Sequence, residues 1–313
     1  MRRAGGATLP ELMVALAVGL LVLLLAAVLL ATANAGYLAQ ADNAGIDDAG
    51  RYALEAIARA VRQAGHTNWD SEEGGIGFDP AAPARVAGLD NHSVRRAGEA
   101  LDGVLAGAVN GSDVLALHFE GAGDGAEGDG SALNCGGFGV GRQEQGWSIF
   151  YVARSAAGEA ELRCKYRGAG DWGADALVAG VDSFQVLYGV DTDVPPDGLA
   201  NQYLNATAID ALDAALALEG ADARARAADL RRKTHWKRVS SVKVGLLLHG
   251  ARHAASRAEP IVYDLFGAAY GAVGDADLGT RVDEARLPDG LQARERKLFA
   301  ATIALHNPAR GGH

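Results

Sequence analysis

Cysteine is scarce in this chain: 313 residues carry only Cys135 and Cys164. Two thiols with no neighbouring Cys/His set cannot complete the four ligands of a structural zinc centre. Basic residues are outnumbered, with 29 Lys and Arg against 39 Asp and Glu, a net charge of -10 and a pI near 5.3. That balance argues against a general nucleic-acid surface, which needs a basic footprint. The basic cluster from Arg224 to Arg238 reads as a solvated helix face rather than a phosphate-binding patch. Aromatics make up 6% of a chain that is 49% hydrophobic, so the core is built from small aliphatic side chains. No phosphate loop, Ser/His/Asp context or specific pair of carboxylates argues for an enzyme.

Charge is also missing from one long stretch, Leu12 to Ala33. Arg2 and Arg3 precede it and Glu11 sits at its start. A secretory signal has a short apolar core followed by a small-residue cleavage site. Here the small residues, Gly5-Gly6-Ala7, come first, so cleavage there leaves the apolar run on the mature chain. About twenty residues rising 1.5 Å each span roughly 30 Å, the thickness of a bilayer core. The segment therefore reads as a retained membrane helix behind a short, removable, positive leader. Arg2 and Arg3 hold the N-terminus in the cytoplasm, which places everything after Ala33 on the other side. In a reducing cytosol the two cysteines would be unrelated thiols; in that outer compartment they are expected to pair.

The helix is expected to run from Leu9 to about Ala64 in two chemically different halves. Leu12 to Ala31 is apolar all round, as in a membrane or among other helices. From Ala39 the pattern becomes amphipathic: Ile46, Ala53 or Leu54, Ile57, Val61 and Ala64 recur every three or four residues. Asp47 with Arg51 and Glu55 with Arg59 are spaced for i,i+4 ion pairs. Gly65 ends the helix and Gly36 marks a place for a bend. His66 to Val109 shows little periodicity and reads as a long irregular connection. Strands are expected at Val114–Phe119, Trp147–Arg154, Glu161–Tyr166, Val239–Leu248 and Thr302–Leu305, with a hairpin turn at Ser155–Glu159. Leu177–Val190 reads as a strand pair or one bent strand with a bulge at Gly180. The Ala-, Asp- and Arg-rich region 206–235 reads as a helical insertion. The fold class is thus α+β: one long N-terminal helix whose amphipathic half packs on a mainly antiparallel sheet.

Gly6-Ala7-Thr8-Leu9-Pro10-Glu11-Leu12 resembles the processing and methylation site of type IV prepilins. Three later stretches, Arg51–Gly65, Leu177–Asp191 and Trp236–Leu248, resemble the PilW group of minor pilins, and Phe299–Asn307 is similar to that group's closing strand. Ala7 stands where the family usually has Phe, and His249 and His306 stand where Arg is expected. The resemblance implies a leader over residues 1–6, a pilin helix over 7–65 with its membrane part at about 10–33, and a β-rich domain over 66–313. It implies cleavage between Gly6 and Ala7 by a membrane prepilin peptidase and N-methylation of Ala7. Glu11 is then the assembly charge, meeting the freed amine of a neighbouring subunit. The implied partners are the peptidase, other minor and major pilins, and the inner membrane before assembly, with the C-terminal domain periplasmic and later on the pilus. No cofactor and no direct nucleic-acid contact is implied.

Other constellations weigh less. Asp124–Gly130 and Asp191–Gly198 offer clustered oxygens, but neither has the spacing and terminal Glu of an EF-hand, and both read as acidic turns. His249 and His253, four apart after a strand, read as solvated rather than as zinc ligands. Two further functions share some of these features. A type II secretion pseudopilin carries the same N-terminal motif, and a signal-anchored periplasmic enzyme or binding protein would share the anchor without polymerising.

Overall fold

The computed structural model describes residues 8–66, 82–167, 171–253, 259–272, 277–292 and 294–306. The chain divides into two compact units at Gly45/Ile46. Helix α1 (Leu9–Gln63) supplies the first unit as far as Gly45 and opens the second.

The first unit is helix over its described length. Thr8 starts it with one arm of a capping box, the one in which Glu11 reaches back to the Thr8 amide. The Thr8 amide and hydroxyl both donate to Glu11 Oε2, at 2.8 and 2.9 Å, and the Thr8 carbonyl accepts the first helical bond from the Leu12 amide. Pro10 lies in the first turn, where its missing N–H costs the helix nothing. Within this unit the large apolar side chains from Leu9 to Leu30 are all exposed.

In the second unit α1 buries one stripe: Ile46, Gly50, Ala53, Ile57, Val61 and Ala64. Gly50 belongs to it because a Cβ there would lie 2.4 Å from the Phe299 ring. The helix ends at Gly65, whose φ of +70° is left-handed and whose amide donates to the His118 carbonyl. The expected i,i+4 ion pair of Asp47 with Arg51 does not form. Asp47 instead takes Lys297 at 2.8 Å and Arg51 turns to Asp48. A cation offered by the sheet competes with the one offered along the helix.

The strands make two antiparallel sheets. The first has the order β1 (Val86–Leu89), β4 (Val114–Glu120), β5 (Gln145–Arg154), β6 (Ala160–Arg167), β7 (Trp172–Ala179). The second has the order β13 (Arg294–Ala304), β10 (Val239–His253), β8 (Val181–Val190), β9 (Gln202–Leu204). Leu115, Leu117, Phe150, Leu162, Val186 and Val244 from both sheets meet the α1 stripe in one core. Strand β8 is buried along its whole length.

Gly180 is a corner rather than a bulge. It is the single residue between β7 and β8, and so between the two sheets. Its φ is +76°, its amide donates to the Ala160 carbonyl, and its carbonyl accepts from the His249 amide. A Cβ there would meet the His249 carbonyl at 2.6 Å, so both the torsion and the space call for glycine.

The stretch 66–109 is more ordered than its sequence suggests, although 67–81 lies outside the described residues. Strands β2 (His92–Val94) and β3 (Val104–Ala106) form a ribbon. Val94 from that ribbon joins Ala116, Ile149 and Tyr151 over the outer face of the first sheet. A second ribbon, β11 (Val262–Asp264) with β12 (Arg281–Asp283), lies over the second sheet, where Leu265 and Val282 pack on Leu247.

Residues 206–233 form helix α2 (Ala206–Ala214) and helix α3 (Ala223–Lys233). Asn205 caps α2 through the Ala208 amide. From outside the helix, Asp90 takes the Ala206 and Thr207 amides at 3.0 and 2.7 Å. A carboxylate at a helix N-terminus is favoured by the dipole, so Asp90 fixes α2 to the turn after β1. Asp113, Asp90 and Asp277 form a buried or part-buried acidic group nearby. Burial pushes the Asp113 carboxyl well up, and the nearby Asp90 and Asp277 carboxylates add to this, against opposing hydrogen bonds from the Val186 and Asn91 amides.

Candidate functional site

The expected site residues at the N-terminus are Gly6, Ala7 and Glu11. Gly6 and Ala7 lie outside the described residues. Glu11 lies inside them, one turn into α1 and ahead of the apolar run. Its carboxylate is held by its own chain, since both Thr8 donors converge on one oxygen, Oε2. This partner was not foreseen. The Thr-x-x-Glu spacing of a capping box is the signal that finds it. α1 is the one described helix long and apolar enough to cross a membrane, by length and composition. A carboxylate at the centre of such a span costs roughly 3 kcal/mol and less towards the edge. Hydrogen bonds such as those from Thr8 lower that cost.

The second feature is the disulfide between Cys135 and Cys164, with Cα atoms 5.9 Å apart. Cys164 lies on β6 among the core residues Leu162 and Tyr166. Cys135 belongs to the Gly/Asp loop after β4, where its amide donates to Ser148 Oγ at 3.0 Å. Asn134 beside it receives the Gly136 and Phe138 amides on Oδ1 and donates to the Arg167 carbonyl. The loop is packed backbone against backbone: a Cβ on Gly139 would meet the Glu127 carbonyl at 2.0 Å. Within it Asp124 pairs with Arg142 and Asp129 receives the Ser131 amide and hydroxyl. These acids serve the turn.

Asp191, Asp193 and Asp197 bring carboxylate oxygens within 4.8 Å of one another. Asp191 is buried and accepts from the Asp193 and Gly198 amides at 3.0 and 2.6 Å. Asp193 accepts from the Asn201 side chain, and Asp197 from the Leu199 amide. Each carboxylate is accounted for by the turn it closes, while calcium takes six to eight oxygens.

His249 is not solvated. It sits on β10, with Nε2 2.8 Å from Glu159 Oε1 and Nδ1 3.1 Å from Asp182 Oδ1. Asp182 also receives Arg296 Nε at 2.7 Å, and Arg296 Nη1 reaches Glu284 at 2.8 Å. His253 also lies on β10 rather than beyond it, paired with Arg294 across an irregular register. The buried group of Asp182, Arg296 and Glu284 ties β8 and β13 to the turn after β12. Removing one partner of such a group leaves an uncompensated buried charge.

Compared with known proteins, residues 149–307 match the family model PilW, described as type IV pilus-assembly protein W. Among solved structures, a type IV-like pilin from Thermus thermophilus is similar at 14% identity with a TM-score of 0.41, covering 84% of this chain and 98% of that one. No curated protein matches.

Proposed function

Because the chain belongs to the PilW family of type IV pilus-assembly proteins, we propose that it is a minor pilin. In this reading it is cut by a prepilin peptidase and helps to start or support pilus assembly, and through it adhesion, twitching or DNA uptake. The family match begins at residue 149, far beyond the N-terminal motif. The motif and the match are therefore separate pointers from opposite ends of the chain, and their agreement carries the reading.

The steps follow from the residues. Arg2 and Arg3 keep the leader in the cytoplasm. Hydrolysis of the Gly6–Ala7 peptide bond releases the leader and leaves a free amine on Ala7, which is then methylated but stays cationic. Glu11 is four residues further along the sequence. Before assembly the carboxylate rests on Thr8. As the subunit leaves the bilayer, Glu11 exchanges Thr8 for the Ala7 amine of a neighbouring subunit. Apolar contact is non-directional, whereas a single ion pair between apolar helices sets their register. The run Leu12 to Ala33 then has two successive surroundings, lipid first and the helices of other pilins afterwards. The inner membrane and the pilus are the corresponding locations, with the β-rich unit periplasmic before assembly.

N-terminal mass spectrometry of material from the native host tests the cleavage, with Ala7 expected as the first residue. Replacing Gly6 by a bulky residue is expected to leave the precursor uncut. A mature N-terminus at Ala7 in that variant would place the cleavage determinant elsewhere.

A further inference from the structure

His249 is buried on β10, and its two ring nitrogens face carboxylates from different sheets. Nε2 lies 2.8 Å from Oε1 of Glu159, which belongs to the turn between β5 and β6 of the first sheet. Nδ1 lies 3.1 Å from Oδ1 of Asp182 on β8 of the second sheet, off the line of a hydrogen bond and with no other partner among the described residues. A neutral imidazole has one N–H and one bare lone pair. With the proton on Nε2, the bare Nδ1 faces a buried carboxylate. With the proton on Nδ1, the lone pair of Nε2 faces Glu159 across a hydrogen-bond distance. Either tautomer sets an acceptor against an acceptor. The imidazolium carries a proton on both nitrogens and avoids this.

The surrounding charges make the same demand. Among the described residues they are Glu159 from the β5–β6 turn, Asp182 from β8, Arg294 and Arg296 from β13, and Glu284 from the turn after β12. Arg296 takes Asp182 and Glu284, while Arg294 stands 4.0 Å from Glu159. Three carboxylates therefore meet two guanidiniums, and a protonated His249 is the third cation. An uncompensated charge in such a buried group is costly. The Asp182 and Arg296 side chains are closed to water, whereas that of Glu159 is 37% exposed and gives the ring its route to solvent.

We propose that His249 is a proton-operated clamp between the two sheets. Protonated, it holds the β5–β6 turn against β10. As pH rises, the proton passes by way of Glu159 to water, a bare nitrogen is left facing a carboxylate, and the turn loosens. The backbone bonds at the corner, from the Gly180 amide to the Ala160 carbonyl and from the His249 amide to the Gly180 carbonyl, do not depend on that proton. The sheets therefore stay joined and the release is local. The clamp's contribution is present at low pH and lost as pH rises through the titration of the ring. It does not depend on the reading of this chain as a pilus subunit.

Amide exchange of the full-length chain in detergent micelles, corrected for the intrinsic effect of pH, tests the clamp. The Ser155 and Gly158 amides, which bond within the turn, are the reporters. Between about pH 5 and about pH 9, a range that spans ordinary histidine titration, their protection is expected to fall at least about tenfold. Leu115 and Leu117 on β4 are expected to keep theirs. His249→Arg, a permanent cation, is expected to hold the turn across the range, and Glu159→Ala to leave it loose across the range. Ring 15N shifts of the parent need no variant, and they are expected to show the second ring proton leaving over the same interval in which protection is lost. Protection that pH leaves unchanged, a ring proton that leaves without any change in protection, or a pH-dependent loss that persists in His249→Arg overturns the proposal.

Discussion

Helix α1 meets two surroundings along one backbone. From Leu12 to Leu30 its large apolar side chains are all exposed, and Leu20 and Leu29 keep 67% and 71% of their surface. From Ile46 onward one apolar stripe of the same helix is buried, and Ala53, Ile57 and Val61 are at 0%. Hydrophobic surface seeks cover wherever it lies, at about 25 cal/mol per Å². The second half finds that cover within its own unit. The first half must find it in another molecule, and a single carboxylate, Glu11, sits at its entrance. A large apolar surface left exposed by the fold marks a place for contact with a membrane or another protein.

Variants that break this comparison differ widely in expected size. Glu11→Ala should leave cleavage at Ala7 intact and abolish surface pili, counted by electron microscopy. Normal piliation would remove the assembly role. Next comes the disulfide: replacing Cys135 and Cys164 by Ser should lower the stability of the second unit by about 3–4 kcal/mol, read from denaturant melts. The bond staples a loop to β6, so the N-terminal half should be indifferent to it.

Glycines then contrast the two halves directly. Gly50→Leu drives a side chain into the Phe299 ring and should cost about 1–3 kcal/mol. Gly19→Leu meets open space, with nothing within 4 Å, and should leave the unfolding of the second unit unchanged. Equal effects would erase the distinction between the halves.

The smallest effect concerns pH. Burial raises both the Asp113 and the Asp277 carboxyls. The folded chain therefore retains protons that the unfolded chain releases. Their stabilisation is complete below the ordinary carboxylate value of about 4 and is lost as pH rises through the folded values. Asp277→Asn should flatten that slope in melts recorded across the acidic range. An unchanged slope would take Asp277 out of the explanation.

Much of this was legible in the sequence, for reasons that mark where legibility ends. The α1 stripe and strands β4, β5 and β6 were visible because their periodicities extend over several turns or alternations. The ribbons β2–β3 and β11–β12 were not, because a three-residue strand is too short to show alternation. Gly180 stood out as a break, but only the pairing partners of β7 and β8 reveal that the chain changes sheets there. Asp47 looked like a partner for Arg51 until Lys297, 250 residues away, came within reach. Asp90 caps α2 from 116 residues upstream, which no local pattern announces. At the site, Glu11 was legible from its place at the head of the apolar run. Thr8 was legible too, through the Thr-x-x-Glu spacing.

The most direct measurement is the N-terminal residue and intact mass of the protein recovered from assembled pili and, separately, from the inner membrane of its host. A chain beginning at a methylated Ala7 in both, with Leu12 to Ala33 retained, is the predicted result. A chain that still begins at Met1 in assembled material, or one cut after the apolar run, would contradict it.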